Sequence, residues 1–119
     1  MEPVLLGVDI GTSGAKGTLI TLSGKVLGTA SRSHTTGSPR PGWAEHDADK
    51  MWWDGFVHVV RQLLTESGVD ARNIAGVGCS TIGPCLLPVD EQGVPLRQAI
   101  LYGIDGRASE EIAELDARM

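Results

Sequence analysis

Cys79 and Cys85 are the only cysteines among 119 residues. One bridge makes no disulfide framework, and their spacing is not a metal-binding pattern. They read as reduced, largely buried thiols in a cytoplasmic protein. Positive charge is also scarce. Ten Lys and Arg stand against fifteen Asp and Glu, a formal net charge of −5. Nucleic acid needs a basic face, so this balance argues against such a partner. No apolar run approaches the length that spans a bilayer, so no membrane partner is expected. The N-terminus lacks a basic region followed by a long apolar core, so it does not read as a secretory signal. Internal repeats and low-complexity tracts are missing too. What remains fits one compact α/β domain with a single core.

The richest stretch is Val8-Asp9-Ile10-Gly11-Thr12-Ser13-Gly14-Ala15-Lys16. The short apolar run Val4 to Val8 reads as a buried strand, with Asp9 at its end. Gly11 and Gly14 permit a tight turn that a ligand can approach closely. Thr12, Ser13 and Lys16 add two hydroxyls and a cation. Backbone N–H groups in such turns bind anions, and a carboxylate can hold Mg²⁺ through its waters. The plain alternative is a β-hairpin with a glycine turn and a surface Asp. A P-loop would need Gly-x-x-x-x-Gly-Lys-Ser/Thr running into a helix. Here Lys16-Gly17-Thr18-Leu19-Ile20 runs into another strand.

Asp9-Ile10-Gly11-Thr12-Ser13 resembles the first phosphate loop of the actin, hexokinase and sugar-kinase superfamily. Trp43-x-Glu45-x-Asp47 followed by Trp52-Trp53 resembles the corresponding segment of the FGGY carbohydrate kinases, where it is mainly architectural. Glu45, Asp47 and Asp49 are read as helix capping and dipole residues, not a metal site. Ser80-Thr81-Ile82-Gly83-Pro84 matches the loop that touches the sugar or polyol in that family. It departs from the family pattern, because Ile82 stands where a His or Glu meets a substrate hydroxyl. Ile100 to Arg107 resembles the Ile-x-Trp-x-Asp-x-Arg stretch, with Tyr102 as the aromatic and one extra residue before Asp105. Asp105 and Arg107 read either as a local ion pair or as part of a substrate loop. Four marks in family order point to a xylulokinase-like FGGY kinase.

The resemblance implies a ribonuclease H-like, actin-like ATPase fold, a mixed sheet whose first three strands are antiparallel, flanked by helices. The chain itself supports that order. Ala15 to Leu22 and Lys25 to His34 read as strands two and three of a meander, because each connection is too short for a crossover. His34 reads as a surface residue. A helix is expected from about Asp49 to Ser67, with Asp47 or Asp49 as N-cap and Gly68 as the stop. Trp52, Phe56, Val59, Val60, Leu63 and Leu64 share its apolar face. His46 and His58 lack ligand spacing. Ile74 to Ser80 reads as a buried strand, Cys85 to Asp90 as a short strand that Pro88 places at an edge or ends early, and Glu91-Gln92-Gly93 as a turn. Residues 108–119 read as a helix with Ile112, Leu115 and Met119 on one face.

By resemblance, ATP with Mg²⁺ is the phosphoryl donor, Asp9 orients the metal's waters, and Gly11, Thr12, Ser13 and Lys16 hold phosphate. Ser80, Thr81, Ile82, Tyr102, Asp105 and Arg107 line the sugar or polyol side. Residues 1–119 correspond to the first part of the first kinase domain. The second domain, with the catalytic base and the adenosine loops, is expected to be missing. Half a cleft cannot position a phosphoryl transfer, so this piece is expected to be inactive alone. It is also expected to self-associate through faces that the missing part would cover. The contrasting expectation is a non-catalytic actin-like binding or assembly module.

Overall fold

The computed structural model describes residues 2–119. Two units divide the chain, Met1–Thr35 with Asp47–Ile82, and Thr36–His46 with Gly83–Met119. Instead of one core running through the chain, the hydrophobic core cluster lies wholly in the first unit.

In the first unit, β1 (Val4–Ile10), β2 (Gly14–Thr21) and β3 (Val26–Ser33) form the expected antiparallel meander. A later strand pairs parallel to β1, giving the order β3-β2-β1 and then that strand. Period-two alternation decides what is buried. Val4, Leu6, Val8 and Ile10 of β1 and Ala15 and Leu19 of β2 are buried. Helix α1 (Asp54–Ser67) lies on this face, burying Val59 and Leu63, with Phe56, Val60 and Leu64 packed against the cluster. Gly17 makes the approach possible. A Cβ there would meet Val59 Cγ1 at 2.3 Å and Leu63 Cδ1 at 2.9 Å.

The helical segment opens as a π-helical turn, Ala48–Trp53, whose N-cap Asp47 accepts from the Lys50 N–H. The Asp54 N–H reaches back five residues to the Asp49 carbonyl. Trp52 packs against the core, while Trp53 is 63% exposed and stacks on Phe56 at 5.8 Å. Gly68 ends α1 in the left-handed region at φ 69°, as the sequence leads one to expect.

The strand over Ile74–Thr81, here β5, forms, but it is not buried. Val77 is 57% exposed and Cys79 is exposed. β5 ends the sheet order, hydrogen-bonded on one edge by β1, and α1 packs mainly over β2 and β3. The same geometry corrects the expectation of two buried thiols. Cys79 is exposed, Cys85 is half-buried, and neither is in a disulfide.

In the second unit, two-residue strands β4 (Glu45–His46) and β6 (Ala99–Ile100) pair antiparallel over buried Ala44, His46, Ala99 and Leu101. Cys85 to Asp90 does not form the expected strand. Only isolated bridges occur, Leu86 to Ile100 and Val89 to Pro95. Pro84, Pro88 and Pro95 each remove a backbone donor, so no continuous ladder can run through this segment. The expected turn is present. Asp90 Oδ1 accepts from the N–H groups of Gln92 and Val94, and Gly93 takes φ 79°. Helix α2 (Ser109–Arg118) carries Ile112 and Leu115 exposed, followed by exposed Met119. No helix among the described residues is long and apolar enough to cross a membrane.

Candidate functional site

β1 buries Val8 and Ile10, so Asp9 between them faces the opposite side of the sheet. Register then fixes its neighbours. Asp9 pairs with Lys16 on β2 and with Ser80 on β5, and Lys16 pairs with Ser31 on β3. Paired residues share a face, so Ser31, Lys16, Asp9 and Ser80 make one polar row across four strands. All four are exposed, and Asp9 takes part in no ion pair among the described residues.

The turn beyond Asp9 closes through the Gly11 N–H, which donates to the Gly14 carbonyl at 2.9 Å. Thr12 and Ser13 at its tip are exposed. The two glycines serve different needs, and neither has positive φ. A Cβ on Gly14 would lie 2.5 Å from the Arg32 carbonyl oxygen, so β3 itself demands glycine there. A Cβ on Gly11 would make only ordinary contacts, at 3.8 Å from the Gly14 carbonyl and 3.9 Å from Asp9 Oδ2. A Cβ at Gly11 would therefore fit without a clash.

The end of β5 adjoins this loop. The Ile82 N–H donates to the Ile10 carbonyl at 2.7 Å, which keeps Ser80, Thr81 and Ile82 beside Asp9. Ser80 and Thr81 are exposed and Ile82 is half-buried. These donors are hard oxygens with one carboxylate, which suits Mg²⁺ held through water and phosphate. No group of three His, Cys, Asp or Glu capable of a direct protein cage occurs among the described residues. A separate groove of about 640 Å³, lined by Arg32, Asp54, His58 and Arg61 among others, includes none of the expected site residues.

His34 is not the surface residue the sequence suggests. It is half-buried, and its ring Nε2 lies 2.9 Å from the Gly11 carbonyl oxygen. The hairpin register is the physical reason. Gly14 pairs with Ser33, so the residue after β3 falls beside the residue before β2. The His34 N–H accordingly donates to the Ser13 carbonyl at 2.9 Å.

The second unit holds the other candidates. Tyr102 is 63% exposed. Asp105 and Arg107 form an ion pair. Arg107 Nε and Nη2 fork onto the Asp105 carboxylate, the latter at 2.7 Å, and the Ala44 N–H donates to Asp105 Oδ2 at 2.7 Å. The Arg107 guanidinium, helped by the Ala44 and Arg107 N–H groups, holds the Asp105 carboxyl well below the usual carboxylate range against the opposing effect of burial. Asp105 first, and then Glu45, raises the Arg107 pKa.

Glu45 is not a helix cap. Its carboxylate is buried and receives Arg107 at 2.8 Å and Arg97 at 2.7 Å. Asp47 alone does the capping, because β4 turns Glu45 toward the arginines. Trp43 lies under Arg107, 3.8 Å from Cζ to the ring centroid, a cation–π contact. Arg107 Nη1 is buried without a hydrogen-bond partner.

Residues 4–119 match the N-terminal domain of the FGGY family of carbohydrate kinases. The chain belongs to that family. It is 40% identical over 110 residues to the L-xylulose/3-keto-L-gulonate kinase of Escherichia coli, covering 92% of this chain and 22% of that protein. It is 34% identical over 111 residues to the glycerol kinase of Citrifermentans bemidjiense, covering 92% and 22%. Among solved structures, the xylulose kinase of Rhodospirillum rubrum superposes with a TM-score of 0.87 at 35% identity, covering 98% of this chain and 23% of that one. The FGGY chain thus spans about a fifth of the length of these relatives. Its fold is that of the actin-like sugar kinases, as the family resemblance implied. Of the site residues taken from the sequence, Asp9, Gly11, Thr12, Ser13, Lys16, Ser80, Thr81 and Ile82 fall in one unit. Tyr102, Asp105 and Arg107 fall in the other.

Proposed function

We propose that this chain is the N-terminal portion of an ATP-dependent carbohydrate kinase, completed by a second domain, that phosphorylates a hydroxyl of a sugar or polyol. One observation carries the reading. An exposed, unpaired carboxylate, Asp9, stands beside an open glycine turn on one side and a hydroxyl-bearing strand end, Ser80 and Thr81, on the other. ATP with Mg²⁺ supplies the transferable phosphoryl group and the divalent charge. Asp9 would orient the waters of the metal. The loop N–H groups, the Thr12 and Ser13 hydroxyls and Lys16 would hold phosphate oxygens.

Ser80, Thr81 and Ile82 of the first unit would meet the acceptor. Tyr102 is a separate acceptor candidate in the second unit, on a loop shaped by Asp105 and Arg107, whose charges are already paired. A xylulose-like ketose is the favoured acceptor. The L-xylulose/3-keto-L-gulonate kinase at 40% identity and the xylulose kinase structure at 35% support it. The aliphatic Ile82 side chain carries no hydrogen-bonding group, so any discrimination among acceptor hydroxyls would fall to Ser80 and Thr81. The 119-residue chain would be inactive alone, since phosphoryl transfer needs charge stabilisation from several sides.

The test is ADP release by the uninterrupted reading frame with ketoses, polyols and sugar acids. Release that depends on a ketose is expected. ADP release independent of any sugar would replace the kinase reading with an ATPase, and no ADP release or binding would favour a non-catalytic module.

A further inference from the structure

One residue outside the phosphate loop bonds to two of its carbonyls. The His34 N–H donates to the Ser13 carbonyl, and His34 Nε2 lies 2.9 Å from the Gly11 carbonyl. The loop adds its own bond from the Gly11 N–H to the Gly14 carbonyl. A carbonyl oxygen only accepts, so Nε2 carries the proton in this contact. The Gly11–Thr12 peptide is trans, since the one cis bond among the described residues lies at Gly83–Pro84. In a trans peptide the C=O and the next N–H point opposite ways. A Gly11 carbonyl held against His34 therefore turns the Thr12 N–H away from β3.

We propose that His34 is a positioning residue for this loop. Its ring fixes the Gly11–Thr12 peptide in one orientation, so that the loop's N–H groups are set before an anion arrives rather than ordered by it. Pre-setting lowers the ordering cost of binding. The anion in this inference rests on the kinase reading above, whereas the clamp on the loop does not.

The experiment follows amide hydrogen exchange by NMR in the 119-residue chain without nucleotide. His34→Phe keeps a flat ring and the backbone N–H but removes the ring donor. Loss of one hydrogen bond is expected to speed Gly11 amide exchange roughly fivefold to tenfold, with Leu19 in the sheet unchanged. His34→Gln, which restores a donor, is expected to recover most of the protection. Unchanged Gly11 exchange in His34→Phe would overturn the proposal. So would an equal rise at Leu19, or a Gln variant no better than Phe. A second measurement needs no variant. At a pH where the ring is neutral, its ¹⁵N shifts should report the proton on Nε2, and a proton on Nδ1 alone would overturn the clamp. Neither result depends on catalysis, so failure of the kinase reading would leave both standing.

Discussion

Asp9 and Asp105 are both aspartates in family-like motifs, and the structure treats them in opposite ways. Asp9 ends a buried strand, faces away from α1, and is exposed with no ion pair among the described residues. The Asp105 side chain is 3% exposed and takes the Arg107 fork together with two backbone N–H groups. A carboxylate with every lone pair occupied is a structural element. One left open at a strand end is available for chemistry. The contrast shows that the motif alone does not say which role a residue has, but its partners do.

The sharpest way to break this contrast is to remove each carboxylate's function in turn. In the full-length enzyme, Asp9→Ala is expected to lower turnover about 100-fold or more, as misplacing a reacting group does. Its unfolding midpoint should stay near wild type, because an exposed unpaired residue contributes little to stability. Steady-state kinetics with a denaturation curve checks both halves, and near-normal turnover would take Asp9 out of the site. Arg107→Ala should do the reverse. It takes away the ion-pair partner of Asp105 and one of the two arginines on Glu45, which keeps Arg97, so fold stability should be lost. Urea unfolding followed by Trp43 exposure would measure that loss.

Most of the first unit was legible because it is periodic. Alternation in β1 and β2, the apolar stripe of α1, the Asp47 cap and the Gly68 stop are local signals with local causes. The π-helical opening was not legible, since it adds one residue to a turn without changing composition. β5 shows another limit. Its apolar run correctly predicted a strand but not its exposure, because burial depends on what lies against it. His34 was misread because its partner, the Gly11 carbonyl, is set by hairpin register and not by any neighbour in sequence. Glu45 was misread because the two arginines that claim it lie more than fifty residues away.

pH sharpens the same comparison with a smaller effect. The Asp105 pKa is depressed in the folded state, so the unfolded chain binds more protons as pH falls. The stability from Asp105 is therefore fully present above the unfolded value of about 3.9 and is lost as pH drops through the lower folded value. Asp105→Asn should cost about 1.5–3 kcal/mol at neutral pH, as for a hydrogen bond to a charged group. The gap between wild type and variant should narrow steadily below about pH 4. Denaturation curves across that range give the slope, and a gap that widened in acid would show that Asp105 is not ionised in the fold.

The smallest effects separate the two loop glycines. Gly14→Ala pushes a Cβ to within 2.5 Å of the Arg32 carbonyl, backbone that cannot swing aside. Overpacking of this kind costs about 1–3 kcal/mol. Gly11→Ala meets only ordinary contacts at a φ that alanine accepts. It should leave stability unchanged or raise it by up to about 1 kcal/mol, since alanine restricts the unfolded chain. In the full-length enzyme, however, the same methyl group would stand where phosphate oxygens approach the backbone. Gly11→Ala should therefore raise the KM for ATP while the fold is untouched, whereas Gly14→Ala weakens both together. Thermal unfolding beside ATP kinetics distinguishes them. A Gly11→Ala enzyme with an unchanged KM for ATP would mean that nothing binds at the open glycine, and the contrast drawn from Asp9 would fail at its nearest neighbour.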